Sequence, residues 1–286
     1  MNGAADELAQ LRGWIGKREA AQEALTLAAA ERFHHTLELS GPPAREGEAA
    51  PRLIHFCLAQ PAAPTTMLGS DGHIARGGFL PPIPMPRRMW AASELRFFGD
   101  IRVGEAVRRQ SEIADVVVKS GSTGTLYFVT VDHRIEANGI LRVTDRQTIV
   151  YRDNPVPGGA ATVVAAPAPA GDDQRTVAIS PPLLFRYSAL TFNTHRIHYD
   201  RPYAVEQEGY PGLVVHGPLQ ATLLFHFAAD LAGGAPPDRF SFRGVSPVFD
   251  FDEVCLAARK GEDGQMKLWT ARADGPVAMR AEATWS

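Results

Sequence analysis

The residues most able to do chemistry lie in two short stretches of the second half of the chain. Phe192–Asp200 reads FNTHRIHYD and places Asn193, His195, Arg196, His198, Tyr199 and Asp200 within eight positions. Tyr210–Leu219 reads YPGLVVHGPL, with His216-Gly217-Pro218 opening an apolar run. A histidine titrates near neutral pH, so His198 is a candidate general base. Asn193 cannot act as a base, but its amide can orient a water molecule or hydrogen-bond a ligand. Gly217 followed by Pro218 predicts the first turn of a helix, where a free backbone N–H and the helix dipole favour negative charge. Without a Cβ, Gly217 also lets a ligand oxygen approach closely. Two adjacent arginines, Arg87 and Arg88, precede Met89-Trp90 and offer planar forks suited to a carboxylate.

These residues need a scaffold. The chain has 286 residues, 45% hydrophobic, with a formal charge of −3. That is enough apolar material for a sizeable core, so wholesale disorder is not expected. The mild negative balance argues against nucleic acid as a partner. No apolar run reaches membrane-spanning length, and the start MNGAADELAQ lacks a basic-then-apolar leader. The expected location is therefore the cytoplasm. Cys57 and Cys255 lie far apart in apolar runs and read as free buried thiols; no metal-ligand spacing is visible and no metal or cofactor is expected.

Glu19–Leu39 carries apolar residues at helical spacing and predicts an amphipathic helix. Four β-branched or aromatic runs between Leu95 and Tyr151 predict antiparallel strands, with Gly121–Gly124 as a hairpin turn. Residues 154–173, rich in Ala, Pro and Gly, read as a linker. Ser180–Phe192 reads as a further strand. Gly217–Ala232 is apolar enough for a buried helix, and four more strands follow it to the C-terminus. The two halves thus resemble each other: a helix, then a sheet of about four hairpin-linked strands. A helix lying across a curved antiparallel sheet buries both apolar faces. The fold class predicted is α+β, a double hot dog. Residues 1–153 form a degenerate N-terminal unit on the substrate and CoA side; residues 174–286 form the catalytic unit. Residues 69–86 read as a loop that the first half lends to the site.

The run Asn193-Thr194-His195-Arg196-Ile197-His198, followed by Val215-His216-Gly217, resembles the MaoC-type (R)-specific enoyl-thioester hydratase signature. That signature is Asp-x-Asn-Pro-aliphatic-His, with a downstream His-Gly at a helix start. His198 and Gly217 match; Asn193, His195 and Arg196 stand where the family has Asp, Asn and Pro. The stretch LGSDGHIARGGFLPPIPMPRRMWAASELRF resembles the N-terminal unit of double-hot-dog hydratases of C5 dicarboxylyl-CoA thioesters. The likeness runs from about Trp14 to the end.

The resemblance implies a hydro-lyase that hydrates itaconyl-CoA or mesaconyl-CoA to citramalyl-CoA, with CoA as part of the substrate. Catalytic roles would fall to His198 as base, Asn193 as water-positioning residue and the Gly217 N–H as oxyanion donor. The substrate-binding set would be Arg88, Arg87, His195, Arg196, His216 and Trp90, with Arg88 favoured over Arg87 for the free carboxylate. His216 also reads as fixing the loop before the helix, and Arg196 as either pairing with Asp200 or meeting a CoA phosphate. His34-His35 read as a solvated helix face, and Asp132-His133 as exposed or hydrogen-bonded strand residues. Alternatives are a 3-hydroxyacyl-thioester dehydratase of fatty-acid metabolism, a hot-dog thioesterase, and a non-catalytic acyl-CoA-binding protein. A homodimer is expected by analogy with other hot-dog proteins.

Overall fold

The computed structural model describes residues 2–121, 124–154, 166–261 and 264–286. The first half contributes helix α1 (Asn2–Arg12), strand β1 (Arg18–Ala24), helix α2 (Leu27–Thr36) and strands β2 (Arg87–Phe97), β3 (Ala106–Gly121), β4 (Gly124–Ala137) and β5 (Ile140–Arg152). The second half contributes β6 (Asp173–Ala178), α3 (Pro181–Leu190), α4 (Gly217–Leu231), β7 (Arg239–Gly244), β8 (Glu253–Lys260), β9 (Met266–Arg272) and β10 (Val277–Thr284).

All ten strands form one antiparallel sheet in the order β1-β3-β4-β5-β2-β7-β10-β9-β8-β6. From each edge inward the two halves repeat one topology: β1, β3, β4, β5, β2 and β6, β8, β9, β10, β7. They join where β2 pairs with β7, from Ala92↔Arg243 to Arg96↔Arg239. Helix α4 crosses the strands of the second half, which explains its near-continuous apolar sequence: Leu219, Leu224, Phe225, Phe227 and Ala228 are all buried. Its buried Gln220 and Thr222 are paired, whereas His226 Nε2 is buried without a partner among the described residues. Thr270 Oγ1 donates to Gln220 Oε1 at 2.7 Å, and Thr222 Oγ1 lies 3.1 Å from Tyr187 Oη.

The main strands and α4 match the sequence expectations, but among the described residues only the second half has a helix lying across its strands. Several expectations need correction. Glu19–Leu39 is not one helix. Its first third is β1, paired with β3 from Arg18↔Glu112 to Ala24↔Ala106. The hydrogen bonds offered by an open sheet edge outweigh the modest helix preference of Ala and Glu. Helix α2 starts only after Thr26, whose side-chain oxygen accepts from the Ala29 N–H at 3.2 Å. By element order α2 is therefore the counterpart of α3. The place of α4 is taken in the first half by two 3-10 turns, Ile54–Cys57 and Thr65–Met67, in an otherwise irregular stretch up to β2.

Ser180–Phe192 is helix α3, not a strand; Ser180 caps it and Pro181-Pro182 occupy its first turn. Helix α1 had no clear sequence signal. Residues 155–165 of the expected linker lie outside the described residues. Its last part is docked on the sheet: Ala168 N–H donates to Gly275 O at 2.8 Å and Trp269 Nε1 to Pro169 O at 3.2 Å. Gly121 and Gly124 face each other across β3 and β4 as the hairpin requires, while Ser122 and Thr123 lie outside the described residues.

His34 is buried and only His35 is exposed, so the pair is not simply a solvated face. His133 is buried between Ser111 Oγ and Gln147 Oε1, each 2.8 Å away. Cys57 and Cys255 are free and half-buried rather than fully buried. Among the described residues no helix is long and apolar enough to cross a membrane.

Candidate active site

The site is assembled from the turn between α3 and α4, the start of α4, and one long loop from the first half. After α3, Phe192 adopts a left-handed backbone (φ +49°) and the chain reverses. The Asn193 side-chain oxygen accepts the His195 N–H at 3.0 Å, an Asx turn that leads into a single 3-10 turn, Arg196–His198. Asp200 closes this turn by accepting from Arg196 Nε and Nη2 at 2.9 and 2.7 Å.

His198 is buried, and its Nδ1 lies 2.7 Å from Val214 O. A carbonyl can only accept, so Nδ1 carries the proton and Nε2 keeps its lone pair. The Val214 N–H in turn donates to Ile197 O at 2.9 Å, clamping the two segments together. The His198 ring stacks on His216 at 3.7 Å with 22° between planes. Burial, then the neighbouring His216 and His195, hold His198 well below the ordinary histidine range, so the ring is neutral at pH 7.

His216 is fully buried at the N-cap of α4 and bonds Ser188 Oγ at 2.8 Å through Nε2. It forms the floor beneath His198, out of reach of a ligand. Gly217 begins the helix, and its N–H has no acceptor among the described residues. The Trp90 carbonyl faces it; a Cβ built on Gly217 would lie 3.5 Å from that oxygen. Trp90 itself spends its indole N–H on Ala92 O and Ser93 Oγ. It therefore contributes a wall rather than a polar contact.

The first half reaches this centre through its irregular loop, as expected for residues 69–86. Two residues there were not singled out from the sequence: Asp71 and His73. The Arg196 N–H donates to Asp71 O at 2.9 Å, and Arg196 Nη1 to Ser70 O at 3.0 Å. Thr194 Oγ1 donates to Gly72 O. Gly72 has φ +89°, and a Cβ there would collide with the Thr194 carbonyl oxygen. Gly72→Ala is therefore expected to push the loop off the site. Activity should fall at least about tenfold with a modest loss of Tm, since local strain of this kind costs about 1–3 kcal/mol. Steady-state kinetics beside thermal melts check this.

The docked loop packs His73 against His195, ring centres 4.2 Å apart and planes tilted by 38°. His195 stands edge-on to His198 at 5.5 Å. His73 Nδ1 lies 3.0 Å from Asp71 Oδ2. Burial, with the Arg88 charge beside it, holds His73 down to about 3 despite that carboxylate. Burial raises the Asp71 carboxyl, but its hydrogen bonds from His73 outweigh this and hold it low. Asp71, His73 and His195 present ligand atoms within 4.8 Å of one another, so their donor set alone could fit a divalent cation. Two observations weigh against that use. The His73 and His195 rings already pack against each other, tilted by 38°, and the Arg88 charge faces Asp71 and His73.

The arginines divide by role. Arg87 is engaged by Asn154 Oδ1 at 3.0 Å, by Tyr210 Oη at 3.3 Å, by Glu208 O and by the Glu208 carboxylate at 3.7 Å. Glu208 in turn lies 3.4 Å from His195 Nε2. Arg87 thus orders the His195 side of the site and has no free fork for a substrate. Arg196, paired with Asp200 and stacked over Tyr203 at 4.1 Å, is likewise occupied; the salt bridge is the reading that holds for it. Arg88 differs. It pairs in register with Tyr151 and lies against that buried phenol, next to Asp71 and His73. Among the described residues no carboxylate stands within ion-pair distance of it.

Comparison with known proteins agrees with this architecture. A family model described as hydroxyacyl-thioester dehydratase type 2 matches residues 53–250. The chain is 45% identical to a mesaconyl-C(4)-CoA hydratase of Chloroflexus aurantiacus, over 94% of this chain and 95% of that one. Among solved structures, a MaoC-like dehydratase from Phytophthora capsici superposes with a TM-score of 0.71 at 13% identity, covering 98% of each chain. A Mycobacterium tuberculosis protein with a double hotdog fold superposes with a TM-score of 0.58 at 14% identity, over 94% of this chain and 96% of that one.

Proposed function

The chain belongs to the hydroxyacyl-thioester dehydratase type 2 family of MaoC-like double-hot-dog hydro-lyases, and we propose that it adds water to mesaconyl-CoA esterified at C4, giving citramalyl-CoA. The observation that carries this choice of substrate is the Arg88 fork, which has no carboxylate within ion-pair distance among the described residues and lies beside the histidine cluster. In mesaconyl-C4-CoA the carbon that water attacks bears both the methyl group and the free carboxylate. A receptor for that carboxylate must therefore sit close to the base, where Arg88 stands. The 45% identity to a mesaconyl-C(4)-CoA hydratase supports the same reading.

The geometry supports a two-step addition. Water forms a bond to the β-carbon and gives a proton to His198 Nε2. The double-bond electrons move toward the thioester oxygen, and the Gly217 N–H stabilises the resulting enolate. One such donor is worth about 2.7–4 kcal/mol in acyl-transfer enzymes. The proton held by His198 then passes to the α-carbon, which completes the addition of one water. A β,γ-unsaturated thioester such as itaconyl-CoA has no conjugated enolate route and would need isomerisation first.

The test is a substrate panel. Initial rates are measured with mesaconyl-C4-CoA, itaconyl-CoA, crotonyl-CoA and a longer enoyl-CoA. We expect kcat/KM to be highest for mesaconyl-C4-CoA by about 100-fold or more over crotonyl-CoA, the scale of a charged hydrogen-bond pair. Preference for the long-chain substrate would instead support fatty-acyl dehydration. Release of free CoA from all of them would support thioester hydrolysis.

A further inference from the structure

Hydration needs more than a base. The attacking water has two O–H groups, and aiming its oxygen at the β-carbon takes two acceptors. His198 Nε2 is one. Asn193, the residue expected to be the other, already spends one lone pair of its side-chain oxygen on the His195 N–H, which holds the amide in the Asx turn. Its remaining amide nitrogen can only donate.

We infer that His73, oriented by Asp71, is the second catalytic acceptor: its Nε2 holds the water that His198 deprotonates. The geometry is that of an oriented imidazole. Asp71 uses both carboxylate oxygens on His73, taking the ring Nδ1–H at 3.0 Å and the backbone N–H at 3.0 Å. This fixes the tautomer and the ring plane, the role a carboxylate plays behind a histidine in hydrolytic triads. The Nε2 atoms of His73 and His198 have no protein partner among the described residues, and neither is sealed from solvent. Both rings flank His195, at 4.2 and 5.5 Å between centres. The backbone that carries His73 is pinned to the His198 turn through Arg196 and Thr194.

The chemistry balances without a co-reactant. One water proton goes to His198 and on to the α-carbon. The other stays on oxygen, hydrogen-bonded to His73, and becomes the product hydroxyl. Asp71 acts only through His73 and is a positioning residue. Arg88 adds a link to substrate choice. Burial is the main reason His73 resists protonation, and the Arg88 charge beside it adds to that. A bound carboxylate neutralises that charge, so the group that is recognised also strengthens the acceptor.

This inference rests on the proposed hydration, and the experiment separates the two. His73→Ala, Asp71→Asn and His198→Ala are assayed with mesaconyl-C4-CoA beside the wild type, with thermal melts and with added imidazole. The expected result for His73→Ala is a kcat about 10- to 30-fold lower, the worth of one hydrogen bond to a reacting group, with KM within about twofold and kcat partly restored by imidazole. Asp71→Asn should show a smaller loss of kcat and no imidazole rescue. A wild-type kcat in His73→Ala, with wild type active and His198→Ala inactive, overturns the inference and leaves the function standing. So does a loss that tracks Tm and KM and does not respond to imidazole. Activity abolished by EDTA and restored by a divalent ion would also overturn it, because Asp71, His73 and His195 would then be ligands. Absence of turnover in the wild type would defeat the proposed function, and this inference with it.

Discussion

His198→Ala lowers kcat by about 10³- to 10⁴-fold, the upper range for loss of a positioned general base. The expectation comes from three features acting together. Val214 O fixes the tautomer, so the lone pair sits on Nε2 in every molecule. The His216 stack fixes the ring plane. Burial keeps the ring unprotonated, so no fraction of the enzyme is lost to the imidazolium near neutral pH. Neither His216 nor His195 can substitute through the same geometry. His216 Nε2 is bound to Ser188, and His195 Nε2 faces Glu208. The sign of the pH dependence follows. A group held below its ordinary value stays basic as pH falls, so the acid limb of kcat/KM should lie below pH 6.5 rather than at it. The loss in His198→Ala should fall on kcat with KM nearly unchanged, because the ring acts on water and not on the bound thioester. Pre-steady-state rates across pH 5–8 read both effects.

Arg88→Met removes the second largest contribution. A buried or half-buried guanidinium–carboxylate pair is worth about 1.5–3 kcal/mol, so kcat/KM for mesaconyl-C4-CoA should fall about 10- to 100-fold. For crotonyl-CoA, which has no second carboxylate, the change should stay within about threefold. The ratio of the two substrates is therefore the diagnostic quantity. Arg87→Met should behave differently. Arg87 holds Glu208, Asn154 and Tyr210, so its loss loosens the His195 side of the site and lowers rates for both substrates alike. Equal losses for both substrates in Arg88→Met would remove Arg88 from recognition.

The sequence made some of this visible and concealed the rest for physical reasons. Strands β3, β4, β5 and β8 to β10 announce themselves as β-branched or aromatic runs between turns. Helix α4 does so as an apolar stretch opened by Gly-Pro. β1 does not, because REAAQEA has no strand character of its own and is extended only through its pairing with β3. α3 was legible in principle: Ser180 before Pro181-Pro182 is a cap and helix-start signature that outranks the aromatic content of the run. His198 and Gly217 were singled out because the motifs around them resemble the hydratase signature, not by their spacing alone. The choice between Arg87 and Arg88 was not decided by adjacency alone, because neighbours on a strand point to opposite faces, and only their partners show which one is free. Asp71 and His73 were the hardest. Gly72, between them, meets Thr194 across 122 residues of sequence. No local period reports such a contact. The one available signal was a short Asp-Gly-His within a Gly- and Pro-rich loop already suspected of facing the site.

The central claim is that this site adds one water across the double bond of a C5 dicarboxylyl thioester. Its most direct test is mass spectrometry of mesaconyl-C4-CoA incubated with the protein in oxygen-18 water, alongside His198→Ala. The account predicts an intact CoA thioester heavier by one labelled water, with the label on the carbon that bears the methyl group, and no such product from the variant. An unchanged substrate, a free acid with released CoA, or equal product from His198→Ala would contradict it.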